Sequence, residues 1–336
     1  MILAGDVGGT KTTVGLFEDA GGGLRAVREA TYRNADHDTF EAVLDAFLAE
    51  AGRPALTAAG FGVAGPVIAG HVQMLNLSWS MDCGTLGERL CVPHVGLLND
   101  LEAAAFGMLF LPDEDFCELS PGIPRSHPGN VGVIAAGTGL GEAFLHWDGS
   151  EHQPVASEGG HSSFAAMTDE EWQLACYLRE RLGGHVSYER VLAGPGLVNI
   201  YEFLRDTGRA AEPAVLRDRL RTGGRAEIIS TAGLRGEFPI CARALHLFVS
   251  IYGAEAGNVA LKGLTLGGVF VAGGIAPKIL AKMTDGTFME SFSAKGRRGE
   301  LLKEIRVAVA LNTQVPKIGA AYYARRLRDR ARALHR

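Results

Sequence analysis

The chain has no cysteine pair at the Cys-x2-Cys spacing of a zinc site, no apolar run of membrane-spanning length and no excess of basic charge. Its five cysteines, Cys83, Cys91, Cys117, Cys176 and Cys241, are odd in number and scattered. They read as reduced, mostly buried thiols rather than a disulfide framework. The start of the chain lacks a basic segment followed by an apolar stretch, so no secretory signal is expected and the expected location is the cytoplasm, with no membrane partner. Thirty-three basic against 38 acidic residues give a formal charge of −5. That mild acidity, without a basic patch, argues against nucleic acid as a partner. The basic run at 325–332 reads as the solvated face of a terminal helix.

What the chain has in quantity is glycine, 45 residues in 336, gathered at the ends of apolar strands. Met1–Ala4 runs into Gly5-Asp6-Val7-Gly8-Gly9-Thr10-Lys11. Val131–Ala136 runs into Gly137-Thr138-Gly139-Leu140-Gly141, and Val269–Ala272 into Gly273-Gly274-Ile275. A glycine turn lets backbone approach a ligand closely and aim N–H groups at it. Three such turns suggest a polyphosphate gripped from more than one side. The first is neither a Walker A loop nor a G-x-G-x-x-G fingerprint, because its spacing differs and a strand follows it.

Periodicity and breakers predict the order β-β-β-α-β-hairpin-α-β-α over the first ~110 residues. A helix is expected from Asp38, with Phe40, Val43, Leu44, Phe47 and Leu48 as its apolar stripe and Asp38 with Glu41 as a capping box. Val67–Trp79 reads as a hairpin turned at Ala69-Gly70. Pro112–Pro128 reads as a boundary loop, after which strand, glycine hairpin and strand recur. The expected plan is α/β, with duplicated mixed sheets flanked by helices and a nucleotide held between the halves. The expected division is a small domain of residues 1–110 plus about 302–336, and a large one of 111–301.

Two further groupings carry chemistry. An apolar strand ends in Asn99-Asp100 and a helix follows. A carboxylate at the carboxyl end of a strand is well placed to accept a proton, and Asn99 can hydrogen-bond a sugar hydroxyl. The plain alternative is that one of the two caps the helix. In Glu158-Gly159-Gly160-His161, two glycines let a sharp turn present a carboxylate and an imidazole together. With Glu189 they can bind the hydroxyls of a polyol. Metal binding by His161 ranks lower, since no His or Cys stands at ligand spacing. The alternatives are a structural histidine and a surface ion pair between Glu189 and Arg190. No Gly-x-Ser-x-Gly elbow surrounds Ser157, and the acidic run 113–115 reads as a solvated loop.

Taken in order, these motifs resemble those of bacterial ATP-dependent glucokinases, in the hexokinase and actin-like ATPase (ribonuclease H-like) superfamily. The resemblance also rests on Gly62-Val63-Ala64-Gly65-Pro66, Leu75-Asn76-Leu77-Ser78-Trp79, Glu189-Arg190-Val191-Leu192 and Gly194-Pro195-Gly196-Leu197, and it spans nearly the whole chain. It implies a two-lobed fold with the nucleotide in the interdomain cleft, and phosphorylation of glucose at the 6-hydroxyl by ATP with Mg²⁺. It implies Asp6, Val7, Gly8, Gly9, Thr10 and Lys11 as the first phosphate loop, with Asp6 near Mg²⁺ through a bound water. Gly137, Thr138 and Gly139 form the second loop, and Gly273 and Gly274 lie by the adenosine. Asn99, Glu158, His161 and Glu189 bind sugar hydroxyls, with Gly65 and Pro66 nearby, and Asp100 is the base. A homodimer is implied as well. Lys11 stands where some relatives have Asn, and Ala193 where Ser is expected. The Cys-x-Cys-Gly zinc motif of the repressor/kinase branch is absent, so the resemblance is to the other branch. The rival readings are a kinase for fructose, mannose or N-acetylglucosamine, and an actin-like ATPase or sugar sensor without kinase activity.

Overall fold

The computed structural model describes residues 1–74 and 77–334. In chain order the first strands and helices are β1 (Ile2–Val7), β2 (Lys11–Ala20), β3 (Gly23–Arg33), α1 (Phe40–Glu50), β4 (Ala58–Val63), β5 (His71–Gln73), β6 (Ser80–Asp82), α2 (Cys83–Leu90), β7 (Val95–Asn99) and α3 (Asp100–Met108). Then come β8 (Phe116–Ser120), β9 (Val131–Ala136), β10 (Leu140–Trp147), β11 (His152–Ser157), α4 (Asp169–Leu182), α5 (Gly194–Asp206), α6 (Ala214–Leu220), α7 (Arg225–Leu234) and α8 (Pro239–Gly263). The chain closes with β12 (Gly268–Ala272), α9 (Leu280–Met283), α10 (Thr287–Ser293), α11 (Gly299–Lys303), β13 (Val307–Ala310) and α12 (Val315–Leu334). They group into two compact units: 1–115 with 144–156 and 312–336, and 116–143 with 157–311.

The first unit is built on a sheet of order β3-β2-β1-β4-β7. β1 pairs antiparallel with β2 through the first glycine turn, and parallel with β4. β4 pairs parallel with β7. A parallel neighbour needs a crossover connection, and α1 precedes β4 while α2 precedes β7. β1 and β4 are buried along nearly their whole length, as strands covered on both faces must be. On one face Phe40, Val43, Leu44, Phe47 and Leu48 of α1 pack with Phe61, Trp79 and Met81. On the other, Ala320, Ala321 and Ala324 of α12 pack on Ile2, Ala4 and Ala58.

The second sheet has the order β11-β10-β9-β12-β13-β8. β9, β12 and β13 run parallel, and β8 pairs antiparallel at the edge. Without β8, the two sheets share one order: third, second, first, fourth and fifth strand. The duplicated plan expected from the sequence is therefore present as strand topology. Between β11 and β12 lies a long helical stretch, running from α4 to α8. Its centre is α8, whose buried face includes Phe248, Tyr252 and Glu255.

Several local expectations need correction. Thr39, not Asp38, caps α1, its hydroxyl accepting from the Ala42 N–H at 3.2 Å. Thr39 directly precedes the helix, while Asp38 lies one residue too early to reach its first free N–H groups. Ala69-Gly70 does turn the chain between bridged Ile68 and His71. The paired strands β5 and β6, however, are joined by 74–79. Part of the Leu75–Trp79 motif, Leu75 and Asn76, lies outside the described residues. The proline-rich stretch 112–128 holds β8, which survives there because an edge strand tolerates flanking prolines. Of the five cysteines, Cys241 is buried, Cys91 is exposed and the rest are intermediate. No helix among the described residues is long and apolar enough to cross a membrane.

Candidate active site

In the first unit the candidate residues meet at one sheet edge. Val7, Val63 and Asn99 are register partners across β1, β4 and β7. The turn 8–10, Gly65-Pro66 and Asp100 therefore all leave the carboxyl ends of adjacent parallel strands. At roughly 4.8 Å per strand the outer two are about 10 Å apart. Side chains and N–H groups beyond the carboxyl ends of parallel strands face a crevice suited to ligands.

The first glycine turn is a tight hairpin closed by Gly8 N–H to the Lys11 carbonyl at 3.1 Å. Thr10 and Lys11 are exposed. Asp6 is partly buried, and desolvation raises its carboxyl above the ordinary value, opposed by the charges of Lys11 and Lys317. Two residues that the sequence did not single out support this loop. Asn34, 1% exposed, donates to the Gly8 carbonyl at 2.8 Å and accepts from the Thr12 hydroxyl at 2.8 Å. Lys317 on α12 is also buried, held by Gln314 at 3.0 Å and Glu29 at 2.6 Å. An Asn after an edge strand carries no sequence signal of this role, and a lysine within a terminal helix reads as surface.

Asn99 is the N-cap of α3, its side chain accepting from Leu101 N–H at 2.9 Å in a reciprocal capping box with Glu102. The same side chain donates to the Gly65 carbonyl at 3.0 Å. The capping alternative therefore holds for Asn99, and the cap fixes its amide against Gly65. One amide hydrogen beyond this bond remains in its bonding capacity. Asp100 occupies the first helical position, half-buried, with Oδ1 accepting from Leu101 N–H at 2.9 Å. A carboxylate in the first turn of a helix is stabilised by the helix dipole.

In the second unit the remaining candidates also converge. The turn 137–139 is closed by Gly137 N–H to the Gly139 carbonyl at 2.8 Å, and the Gly137 carbonyl accepts from Gly194 N–H at 2.9 Å. Gly194-Pro195-Gly196 is thus the first turn of α5 rather than a free turn, with proline where its missing N–H costs nothing. Gly273 lies beside Ala136. Its φ is +83°, and a Cβ there would fall 2.5 Å from the Ala136 carbonyl oxygen, so only glycine fits.

Glu158 precedes a single 3₁₀ turn, Gly159–His161, that ends on His161; Glu158 Oε2 and His161 Nε2 are 3.9 Å apart and both side chains are mostly exposed. The second such turn, Tyr188–Arg190, is tied to the first by Tyr188 N–H to the Ser162 carbonyl at 3.0 Å. Glu189 accepts from Leu140 N–H at 3.1 Å, so it sits at the exit of the second glycine turn. The two glycines of Glu158–His161 are there for close approach. A Cβ on Gly159 would lie 1.9 Å from Glu142 Oε2, and one on Gly160 2.1 Å from the Leu140 carbonyl oxygen.

The family model for glucokinase matches residues 3–327. The chain belongs to the glucokinase family. A glucokinase of Nostoc punctiforme is 40% identical over 340 residues, covering 97% of this chain and 99% of the relative. A crystal structure of a glucokinase from an Antarctic psychrotroph aligns at a TM-score of 0.86 with 28% identity, over 97% of this chain and 98% of that one. A glucokinase of Balamuthia mandrillaris, solved with glucose, shares the fold at a TM-score of 0.77 and 20% identity, over 96% and 93% of the two chains. This glucokinase-family chain is thus an enzyme of the hexose-phosphorylating kinases with the actin-like ATPase fold. Among its described residues no group of three or more His, Cys, Asp or Glu is arranged to hold a metal ion.

Proposed function

We propose that the chain transfers the terminal phosphoryl group of ATP to the 6-hydroxyl of glucose, with Asp100 accepting the hydroxyl's proton. The observation that carries this reading is the register of Val7, Val63 and Asn99. It sets a phosphate-type loop and a helix-initiating carboxylate at one sheet edge, two strands apart. Phosphoryl transfer needs little covalent work from the protein. It needs acceptor and phosphates held in line, a base for the hydroxyl and charge to stabilise the transferring group.

The geometry of each residue supports its proposed role. Asn99, pinned by its cap and by Gly65, offers a fixed donor to a sugar hydroxyl. Glu158, His161 and Glu189 offer a carboxylate, an imidazole and a second carboxylate from two turns held together by backbone. Such mixed donors and acceptors suit a polyol, whose hydroxyls both give and take hydrogen bonds. The turns 8–10 and 137–139 present N–H groups and the hydroxyls of Thr10 and Thr138 to phosphate, with Lys11 adding charge. Gly273 and Gly274, exposed and free of side chains, leave room for the adenosine.

Mg²⁺ suits a site with one carboxylate, Asp6, since it keeps several waters and takes few protein ligands when phosphates supply the rest. When bound it supplies charge neutralisation to the phosphates, with Asp6 reaching it through a water. A homodimer, the assembly that the resemblance implies, is checked by light scattering of the purified chain.

The test is a panel of glucose, fructose, mannose and N-acetylglucosamine, each run with ATP and coupled detection of ADP. Glucose should give the highest kcat/KM, and the product should be glucose 6-phosphate. A higher kcat/KM for another hexose would move the assignment to that sugar. Sugar-independent ATP turnover at the same rate would overturn it.

A further inference from the structure

The strand that leaves the second glycine turn, β10, carries a carboxyl group that the proposed reaction does not use. Glu142 is 1% exposed, and Glu255 of α8, at 0%, faces it. The two carboxyl groups are hydrogen-bonded to each other. Such a bond requires a proton on one of them. Glu255 has outside partners, accepting from Asn258 Nδ2 at 2.7 Å and from Lys262 Nζ at 3.0 Å. Glu142 Oε1 is buried with no hydrogen-bond partner. An ionised oxygen left so would carry a large desolvation cost, whereas the carbonyl oxygen of a neutral carboxyl carries a small one. The proton therefore belongs on Glu142 and the negative charge on Glu255. Burial first, then the Glu255 charge, push the Glu142 carboxyl up to about 8, with Lys262 opposing.

The pair lies directly under both sugar-site turns. Glu142 Oε2 occupies the space where a Gly159 side chain would begin, and Leu140, two residues earlier on β10, donates its N–H to Glu189 and has its carbonyl packed closely against Gly160. The Tyr188 hydroxyl is hydrogen-bonded to Glu255 and accepts from Asn258 Nδ2 at 3.0 Å. Tyr188 directly precedes Glu189.

We propose that Glu142 and Glu255 share a single proton and thereby position the 158–161 turn and Glu189, so that sugar affinity falls when that proton is lost. This rests on the assignment of those residues to the sugar. With the proton gone, two buried carboxylates face each other; Lys262 contacts Glu255 at 3.0 Å and Lys295 acts on Glu255 by charge, but neither cation lies between the two carboxyl groups. Their repulsion is relieved by displacing Glu142, which packs against Gly159.

Other titratable groups surround the pair. Tyr252 of α8 and Tyr188 have their phenols pushed upward, chiefly by burial, and stay neutral over the range concerned. Lys295 reaches Asn258 Oδ1 at 2.7 Å and the Ala254 carbonyl at 2.8 Å, with Glu255 first and then Glu171 of α4 acting on it by charge. Burial lowers the Lys295 ammonium. Glu158 and His161 face solvent. Comparing the wild type with Glu142→Gln leaves all of these unchanged and isolates the one proton.

The test measures the glucose KM of the full chain at saturating ATP between about pH 6.5 and 9.5. The wild-type KM should rise about tenfold or more across this range, the equivalent of one unit of differential protonation, while the ATP KM stays nearly level. Glu142→Gln, uncharged and of the same shape, should flatten the glucose profile, and Glu142→Ala should raise KM at every pH. If Glu142→Gln does not fold, Glu255→Gln serves: with the facing charge gone and burial remaining, the rise in the glucose KM should move to lower pH, and a rise at the wild-type pH would overturn the inference. A level wild-type profile, or a Glu142→Gln profile parallel to the wild type, would overturn the inference and leave the kinase assignment standing. Failure of the wild type to phosphorylate glucose at any pH would overturn the assignment, and with it the sugar part of the inference. The shared proton also has a readout without substrate. A raised carboxyl stabilises the fold fully below its ordinary value, near 4.5, and loses that contribution as pH climbs to about 8. The Tm of the wild type relative to Glu142→Gln should therefore fall between pH 5 and 8. A constant difference would contradict a shared proton.

Discussion

The Asn99 side-chain amide donates to the Gly65 carbonyl at 3.0 Å while its carbonyl oxygen caps α3 at Leu101 N–H, 2.9 Å away. One side chain thus joins the end of β7 to the segment leaving β4, and its orientation is fixed at both ends. The expected result for Asn99→Ala is a loss of about 1–2 kcal/mol from the missing cap, together with a higher glucose KM. Asn99→Asp separates the two roles. It keeps the cap acceptor and should recover most of the stability, but it removes the donor and should leave the glucose KM high. Recovery of both by Asp would reduce Asn99 to a helix cap.

Asn34 should report on the nucleotide rather than the sugar. Asn34→Ala leaves the Gly8 carbonyl and the Thr12 hydroxyl without their partner, at about 1–3 kcal/mol for each group that stays buried. The turn 8–10 then loses its fixed shape, and the ATP KM should rise with the glucose KM little changed. Thermal melts and initial rates at varied ATP check both. An unchanged ATP KM would separate this loop from phosphate binding.

Glu158→Gln and His161→Ala should act in the opposite sense. Both side chains are exposed on a turn whose backbone they do not hold, so stability should stay near wild type. Each loses a hydrogen bond to a sugar hydroxyl, and the glucose KM should rise about tenfold or more. An effect confined to the ATP KM would contradict their placement on the sugar.

Gly160→Ala tests the close packing of that turn on β10. The added Cβ meets the Leu140 carbonyl oxygen, a backbone atom that cannot swing aside. A loss of about 1–3 kcal/mol is expected for an overpacked site, read as a lowered Tm. Wild-type stability would mean that the turn sits farther from β10 than described.

Much of the strand order was legible because buried parallel strands and their glycine turns are written as short apolar runs with sharp ends. β9 falls on the expected residues, 131–136. The elements that were missed lack such a pattern. β8 is half-buried among prolines, β11 includes Pro154, and α7 has a weakly amphipathic sequence. The candidate site residues were legible where chemistry and turn shape coincide, as in Glu158-Gly159-Gly160-His161. Asn34, Lys317 and Glu142 were not, because each acts through a partner distant in sequence. Glu142 sits in a strand whose other inward positions are apolar, and nothing local says that Glu255 will face it.

The most direct test of the reaction assigned to this chain is the kcat of Asp100→Asn with glucose and ATP, measured beside glucose binding to the same variant. Asn keeps the size of the side chain and an acceptor for Leu101 N–H but cannot take up a proton. The expected result is a loss of at least ~10²-fold in kcat, the order of a general base's contribution, with glucose affinity within a few-fold of wild type. Near-wild-type turnover by Asp100→Asn would contradict the assignment of Asp100 as the base.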